Sequence, residues 1–292
     1  MTADLHTHSE HSDGLTAPQE IAALAARAGL RAVALTDHDT LAGLDEAARA
    51  CAAQGVELVP GIELSAELDE VSVHVLGYWP DPGHAGLLAE CRRLRTERDR
   101  RAAVMVRRLV GFGFGVTIER VRAIAGGAPV GRPHLAAALV EIGAVPDLET
   151  AFRDWIGDGG RAYEPKRALH PVAAVRLLRS AGAVPVLAHP GASGRGDAEG
   201  VPLGLVDDMV SAGLAGMEAD TPAHEPDVAD RWRIVAKERH LVVTGSSDFH
   251  GRAEGAKIGD RRTGLDALDS LASQRGPDPG FVRDRAEGSE DQ

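Results

Sequence analysis

At 292 residues the chain can bury one large core or two ordinary ones, and 43% hydrophobic with 26% charged residues is the balance of a soluble globular protein. Aromatics make up only 3%, so Ala, Leu and Val must fill that core. A formal charge of −12 argues against broad binding to nucleic acid, and no stable DNA binding is expected; a small phosphorylated substrate stays open if cations offset the acidic groups.

No apolar run reaches the roughly 18 residues of a membrane span. The N-terminus lacks a basic segment followed by an apolar one, so the cytoplasm is the expected location. Cys51 and Cys91 stand alone in helical patterns and read as inert packing residues.

Residues 3–8 read as a first strand carrying Asp4-Leu5-His6-Thr7-His8. On a strand, side chains at i and i+2 share a face, so the rings of His6 and His8 can converge on one cation. The competing reading is a polar N-terminus with two solvated histidines. Asp13 follows in a Ser-Asp-Gly turn, close enough to fold back as an oxygen ligand. Thr16 is an N-cap candidate for a helix to about Ala28, stopped at Gly29. Residues 31–36 form a buried-type strand with Asp37-His38-Asp39 at its carboxyl end. A helix over about 41–54 ends at Gly55, a strand over 56–64 carries Glu63, and the strand within 67–78 carries His74. Alternating strands and helices imply a mostly parallel βα architecture, with the polar residues at the carboxyl strand ends where barrel enzymes build their sites.

From Pro80 to about Lys166 the rhythm becomes helical. Residues 85–110 form one long helix rich in arginine, with Glu90, Glu97 and Asp99 interleaved. It reads as a solvated, salt-bridged face rather than a dedicated anion surface. Shorter helices follow near 117–125, 133–142 and 147–156. The βα alternation then returns: a helix over 171–181, a strand over 184–188 leading into His189, a Gly-rich loop 191–200, a helix over 203–212, a strand over 216–219, a helix near 225–238, and a strand over 241–245 opening into Asp248-Phe249-His250. Beyond Gly264 one short helix is expected, then a polar tail whose composition predicts disorder.

His6, His8, Asp13, His38, Glu63, His74, His189, Asp248 and His250 are thus nine N- and O-donors, nearly all at strand ends. Burying such groups together costs several kcal/mol per charge unless cations compensate them. They exceed the ligand needs of one hydrolytic ion and suit two or three. A mixed imidazole–carboxylate set suits Mn²⁺, Fe²⁺ or Zn²⁺, with Mn²⁺ the leading expectation.

The segments DLHTHSEHSDG, LTDHDT, PGIE, HVLGY, LAHPG and GSSDFHG resemble, in order, the motifs of the PHP (polymerase and histidinol phosphatase) family over roughly residues 4–251. That resemblance implies a distorted (β/α)7 barrel, interrupted by an inserted helical domain. The expected division is 1–82 and 166–263 for the barrel, 83–165 for the insertion and 264–292 for the tail. It also implies a ligand set: His6, His8, Glu63 and Asp248 on one ion, Glu63 bridging to a second held by His74 and His189, and Asp13, His38 and His250 on a third. Asp13 stands where some members carry histidine. Asp37 either orients a ligand or serves as a cap.

The insertion's Gly131-Arg132-Pro133-His134 resembles the subgroup of 3′,5′-nucleoside bisphosphate phosphatases and 5′→3′ exoribonucleases. Arg132 and His134 at a helix start, with Lys166, are candidate grips for a second phosphate; Arg195 is a weaker one. The plainer reading of Arg132 is a surface ion pair. The expected activity is hydrolysis of a phosphate monoester by a metal-bridging hydroxide. The expected substrate is the 3′-phosphate of 3′-phosphoadenosine 5′-phosphate, or short 5′-phosphorylated RNA. His189, His250 and Asp248 are the candidate catalytic residues, with either histidine or a metal-bound water as the leaving-group acid. The alternatives are a phosphatase for another metabolite such as histidinol phosphate, or a noncatalytic metal-dependent nucleotide-binding module.

Overall fold

One sheet of eight strands runs through the computed structural model, which describes residues 2–69, 71–165, 167–192 and 200–276. The strands are β1 (Thr2–Asp4), β2 (Ala32–Leu35), β3 (Glu57–Leu68), β4 (Val71–Tyr78), β5 (Val184–Leu187), β6 (Gly216–Asp220), β7 (Val242–Gly245) and β8 (Thr263–Gly264). Their order is β7-β6-β5-β4-β3-β2-β1-β8. β1-β2-β3 and β5-β6-β7 are parallel runs, while β4 lies antiparallel to both β3 and β5. This reversal brings residues early in β4 to the carboxyl mouth of its neighbours. β2 and β5 are buried at every position, as strands covered on both faces must be.

β8 went unforeseen, because two residues carry no periodic signal. It pairs antiparallel with β1, and Thr263 Oγ1 donates to the carbonyl of Gly245 at the end of β7 at 2.7 Å. The sheet edges meet again where His8 N donates to Phe249 O at 2.8 Å. The result is a nearly closed, distorted α/β barrel.

The barrel helices are α1 (Pro18–Arg27), α2 (Leu44–Gln54), α7 (Pro171–Ser180), α8 (Leu203–Ser211), α9 (Pro226–Glu238) and α10 (Leu265–Ala272). Proline opens α1, α7 and α9, where its missing N–H costs nothing. The N-cap of α1 is Ala17 rather than the expected Thr16, and it makes no side-chain cap. Gly55 closes α2 in a left-handed conformation (φ 69°).

The inserted helices are α3 (Ala85–Gly111), α4 (Ile118–Ala125), α5 (Arg132–Glu141) and α6 (Leu148–Thr150), the last running into a π-helical turn over Ala151–Ile156. They enclose their own apolar cluster, including Met105, Leu109, Val121, Leu135 and Leu139. The first turns of α3 instead pack Leu87, Cys91 and Leu94 on the barrel core, so α3 spans both bodies. Burial pushes the Cys51 thiol up to about 11 and the Cys91 thiol up to about 12, which leaves both unreactive. Among the described residues no helix is long and apolar enough to cross a membrane. The barrel extends past the expected boundary at 263, since α10 packs Leu268 and Leu271 into its core; the residues beyond 276, for which disorder was expected, lie outside the described residues.

Candidate metal centre

β1 ends at Asp4, so His6 and His8 lie just past the ladder in a segment that remains extended. Tyr78 holds that segment by donating its hydroxyl to Leu5 O at 2.9 Å. Alternation survives: Nε2 of His6 and Nε2 of His8 face each other at 3.0 Å. Asp13 is delivered by a turn that Asp37 pins, its carboxylate accepting from Ser9 N (2.8 Å), Ser9 Oγ (2.7 Å) and Ser12 Oγ (2.5 Å). Asp37 therefore braces a ligand-bearing loop rather than capping a helix.

His38 follows β2, Glu63 lies within β3, and His74 in β4 stands opposite Ser65. His189 follows β5, while Asp248 and His250 follow β7. His189 (φ 25°) and Asp248 (φ 50°) both have left-handed backbones, a strained state for residues with a Cβ and one common at functional sites.

Glu63 organises the cluster. Its Oε1 faces His74 Nδ1 at 2.9 Å and His189 Nε2 at 3.2 Å. Its Oε2 faces His38 Nδ1 at 2.8 Å, His8 Nε2 at 3.3 Å and His6 Nε2 at 3.5 Å. Asp248 Oδ1 lies 3.4 Å from His6 Nε2 and 3.2 Å from His8 Nε2. Asp13 Oδ1 looks toward His250 Nε2 (3.4 Å), His38 Nε2 (3.8 Å) and His8 Nδ1 (4.0 Å). All nine sequence-named donors thus share one mouth, in overlapping groups whose ligand atoms lie within 4.8 Å of one another.

The donors fit cations better than they fit each other. His8 Nδ1, Asp13 Oδ1, Glu63 Oε2 and His189 Nδ1 are buried without a hydrogen bond among the described residues. Burial opposes charge on His6, yet Asp248, Glu63 and Glu218 raise its ring well above the ordinary imidazole range. Burial likewise opposes charge on His250, but Asp13 lifts it to about 9. For Asp13, Glu63 and Asp248, burial disfavours ionisation and the surrounding imidazoles override it, holding all three well below the usual carboxylate range. The cluster asks for positive charge at its centre, which divalent ions supply.

Three supports were missed by sequence reasoning. Glu218, buried in β6, faces His6 Nδ1 at 3.3 Å, accepts from His189 N at 2.9 Å and takes the Ser246 hydroxyl. A carboxylate placed behind an imidazole in this way fixes its tautomer and ring orientation. A glutamate in the middle of a short buried strand was the available signal. Asp4, its carboxyl pushed up to about 6 by burial, accepts from Ser247 N (3.0 Å) and Gly259 N (2.8 Å), tying the first strand to the Asp248 loop. Arg98 corrects the reading of α3 as a uniformly solvated face. Arg93, Arg100 and Arg108 do pair with Glu90, Glu97 and Glu164 near the surface. Arg98 instead turns inward, to Asp39 Oδ2 (2.8 Å) and Ser65 Oγ (2.7 Å).

A cavity of about 170 Å³ opens beside the cluster, lined by Asp13, His38 and His74 together with Arg98, Arg101 and Arg132. Arg132 lines it while pairing with Asp158 at 3.0 Å. His134 is buried at the start of α5, where its Nδ1 accepts from Gly131 N at 3.0 Å; it lines a neighbouring groove instead. Lys166 and Arg195 lie outside the described residues.

A PHP domain model matches residues 4–107. The chain is 33% identical over 255 residues to the 3′,5′-nucleoside bisphosphate phosphatase of Chromobacterium violaceum, covering 87% of this chain and 89% of that protein. The chain belongs to the PHP domain family. It is also 31% identical to a 5′-3′ exoribonuclease of Haemophilus influenzae (92% and 96% covered) and 34% identical to a phosphoribosyl 1,2-cyclic phosphate 1,2-diphosphodiesterase of Eggerthella lenta (86% and 95% covered). A solved structure of an inferred metal-dependent phosphoesterase from Bifidobacterium adolescentis superposes with a TM-score of 0.89 at 32% identity, covering 96% of this chain and 98% of that one. With these relatives and this donor set, the PHP chain is a phosphoesterase, a hydrolase dependent on divalent metal ions.

Proposed function

We propose that this PHP phosphoesterase removes the 3′-phosphate from a 3′,5′-nucleoside bisphosphate such as 3′-phosphoadenosine 5′-phosphate, with short 5′-phosphorylated RNA as a second substrate. The observation that carries this is the cavity lined both by candidate metal donors and by three guanidinium groups, which suits a ligand with two separate anionic groups. The bisphosphate phosphatase and exoribonuclease relatives support it.

In this reading His6, His8, Asp248 and Glu63 Oε2 would hold one ion, and His74, His189 and Glu63 Oε1 a second. Asp13, His38 and His250 would hold a third. Mn²⁺ is the first candidate, with Fe²⁺ and Zn²⁺ as alternatives. When bound, divalent ions lower the pKa of water and neutralise charge on phosphoryl oxygens. Glu218 and Glu63 fix the rings so that the donors stay aimed at the mouth. His250 is the candidate leaving-group acid; His189, with Nε2 facing Glu63 and Nδ1 buried, would serve as a ligand. Arg132, with Lys166, would engage the phosphate that is not cleaved; His134, turned to the neighbouring groove, would not.

The test is phosphate release from 3′-phosphoadenosine 5′-phosphate, phosphoribosyl 1,2-cyclic phosphate, histidinol phosphate and a 5′-phosphorylated oligonucleotide, with Mn²⁺ and with chelator. The bisphosphate should give the highest kcat/KM, abolished by chelator and restored by metal. Faster turnover of the cyclic phosphate would move the assignment to the second reading that the Eggerthella relative supports.

A further inference from the structure

The three arginines that line the cavity with Asp13, His38 and His74 are not equivalent. Arg98 pairs with Asp39 at 2.8 Å and Arg132 with Asp158 at 3.0 Å, so two of the three already have a carboxylate partner. Arg101 has none among the described residues. Its Nε donates to the backbone carbonyl of Glu164 at 2.6 Å, and its guanidinium lies over the Tyr163 ring at 5.2 Å. The two terminal nitrogens of the fork make no hydrogen bond to a described residue. Yet the residue is only 8% exposed. Burial first, then the charges of Arg132 and Arg98, push its guanidinium down to about 10, which still leaves it charged at neutral pH.

A largely buried guanidinium without a carboxylate partner of its own is costly unless an anion arrives to meet it. The fork also has the planar geometry that grips a phosphate through two parallel N–H···O bonds. Arg98 and Arg101 stand one turn apart on α3, so the same helix sends one arginine to brace the barrel and the next to the cavity.

We infer that Arg101 is a specificity-determining residue: its guanidinium fork seats the phosphate that is not cleaved and so selects nucleotides bearing two phosphates over those bearing one. The inference rests on the nucleotide reading above, and it assigns the second-phosphate contact to a residue of the long helix outside the Gly131–His134 stretch.

The test compares metal-loaded wild type, Arg101→Met and Arg101→Lys. Melting temperature is followed with 5′-AMP and with adenosine, which differ only in the uncleaved phosphate. Steady-state rates are followed with 3′-phosphoadenosine 5′-phosphate and with 3′-AMP. The wild type should be stabilised more by 5′-AMP than by adenosine, and Arg101→Met should erase the difference. The preference in kcat/KM for bisphosphate over 3′-AMP should fall by about tenfold or more, through KM. Arg101→Lys restores charge without the fork, should recover part of the preference, and carries the comparison if Arg101→Met does not fold. Equal shifts by the two ligands in the wild type, a difference that survives substitution, or equal losses on both substrates would each overturn the inference. If 5′-AMP stabilises the protein through Arg101 but the bisphosphate is not cleaved, the substrate reading fails and the anion seat stands.

Discussion

Replacing Glu218 by Gln tests whether the metal centre depends on a residue that touches no ion. In the structure His6 Nδ1 lies 3.3 and 3.4 Å from the two carboxylate oxygens, one of which also takes the Ser246 hydroxyl and the other the backbone N–H of His189. Glutamine keeps the shape but offers a single acceptor oxygen, so its NH₂ group must face at least one of these donors. A buried hydrogen bond to a charged acceptor contributes about 1.5–3 kcal/mol. Taking about 2 kcal/mol, and 1.4 kcal/mol per factor of ten, the variant should bind its metal roughly 30-fold more weakly. The assay is phosphate release across a series of buffered free metal concentrations. The half-saturating concentration should move up, while the rate at saturating metal recovers most of the wild-type value, because Glu218 acts by holding His6 and His189. An unchanged half-saturation point would refute the reasoning. So would a rate that stays depressed at saturating metal, which would place Glu218 in the chemistry itself.

Two further predictions come from the packing. Arg98→Met strands Asp39, whose side chain is fully buried, and should cost about 3–5 kcal/mol in urea unfolding; a loss below about 1 kcal/mol would show that the pair does not fasten the inserted helices to the barrel. Gly191→Ala would set a Cβ 2.6 Å from Val228 Cγ1, 2.8 Å from Trp232 Nε1 and 2.9 Å from His224 Nε2. It should destabilise by about 1–3 kcal/mol and weaken metal binding through His189, while Gly204→Ala, with open space at its Cβ, should do neither.

Short-range chemistry explains why the metal centre could be read so early. His6 and His8 alternate, and alternation alone aims both rings one way even though the ladder stops at Asp4. Imidazoles and carboxylates at the ends of apolar strands have few partners other than cations, so the donor types announced the centre before its geometry was known. The arginines of α3 show the opposite case. Arg93, Arg98, Arg100 and Arg101 carry the same chemistry in one helical run, and nothing in their spacing says which will meet solvent.

The sequence by itself determined the strand–helix alternation, the long helical interruption and the nine donors, because each is written in residue type and local period. Only the tertiary structure decided that β4 runs backward to bring His74 to the mouth, that two residues of β8 fasten the sheet to its far edge, and that Glu218 stands behind His6. The same holds for the inward turn of Arg98 and Arg101. Those facts depend on which surfaces meet across hundreds of residues. There a side chain's role follows from burial and from its partner rather than from its neighbours along the chain.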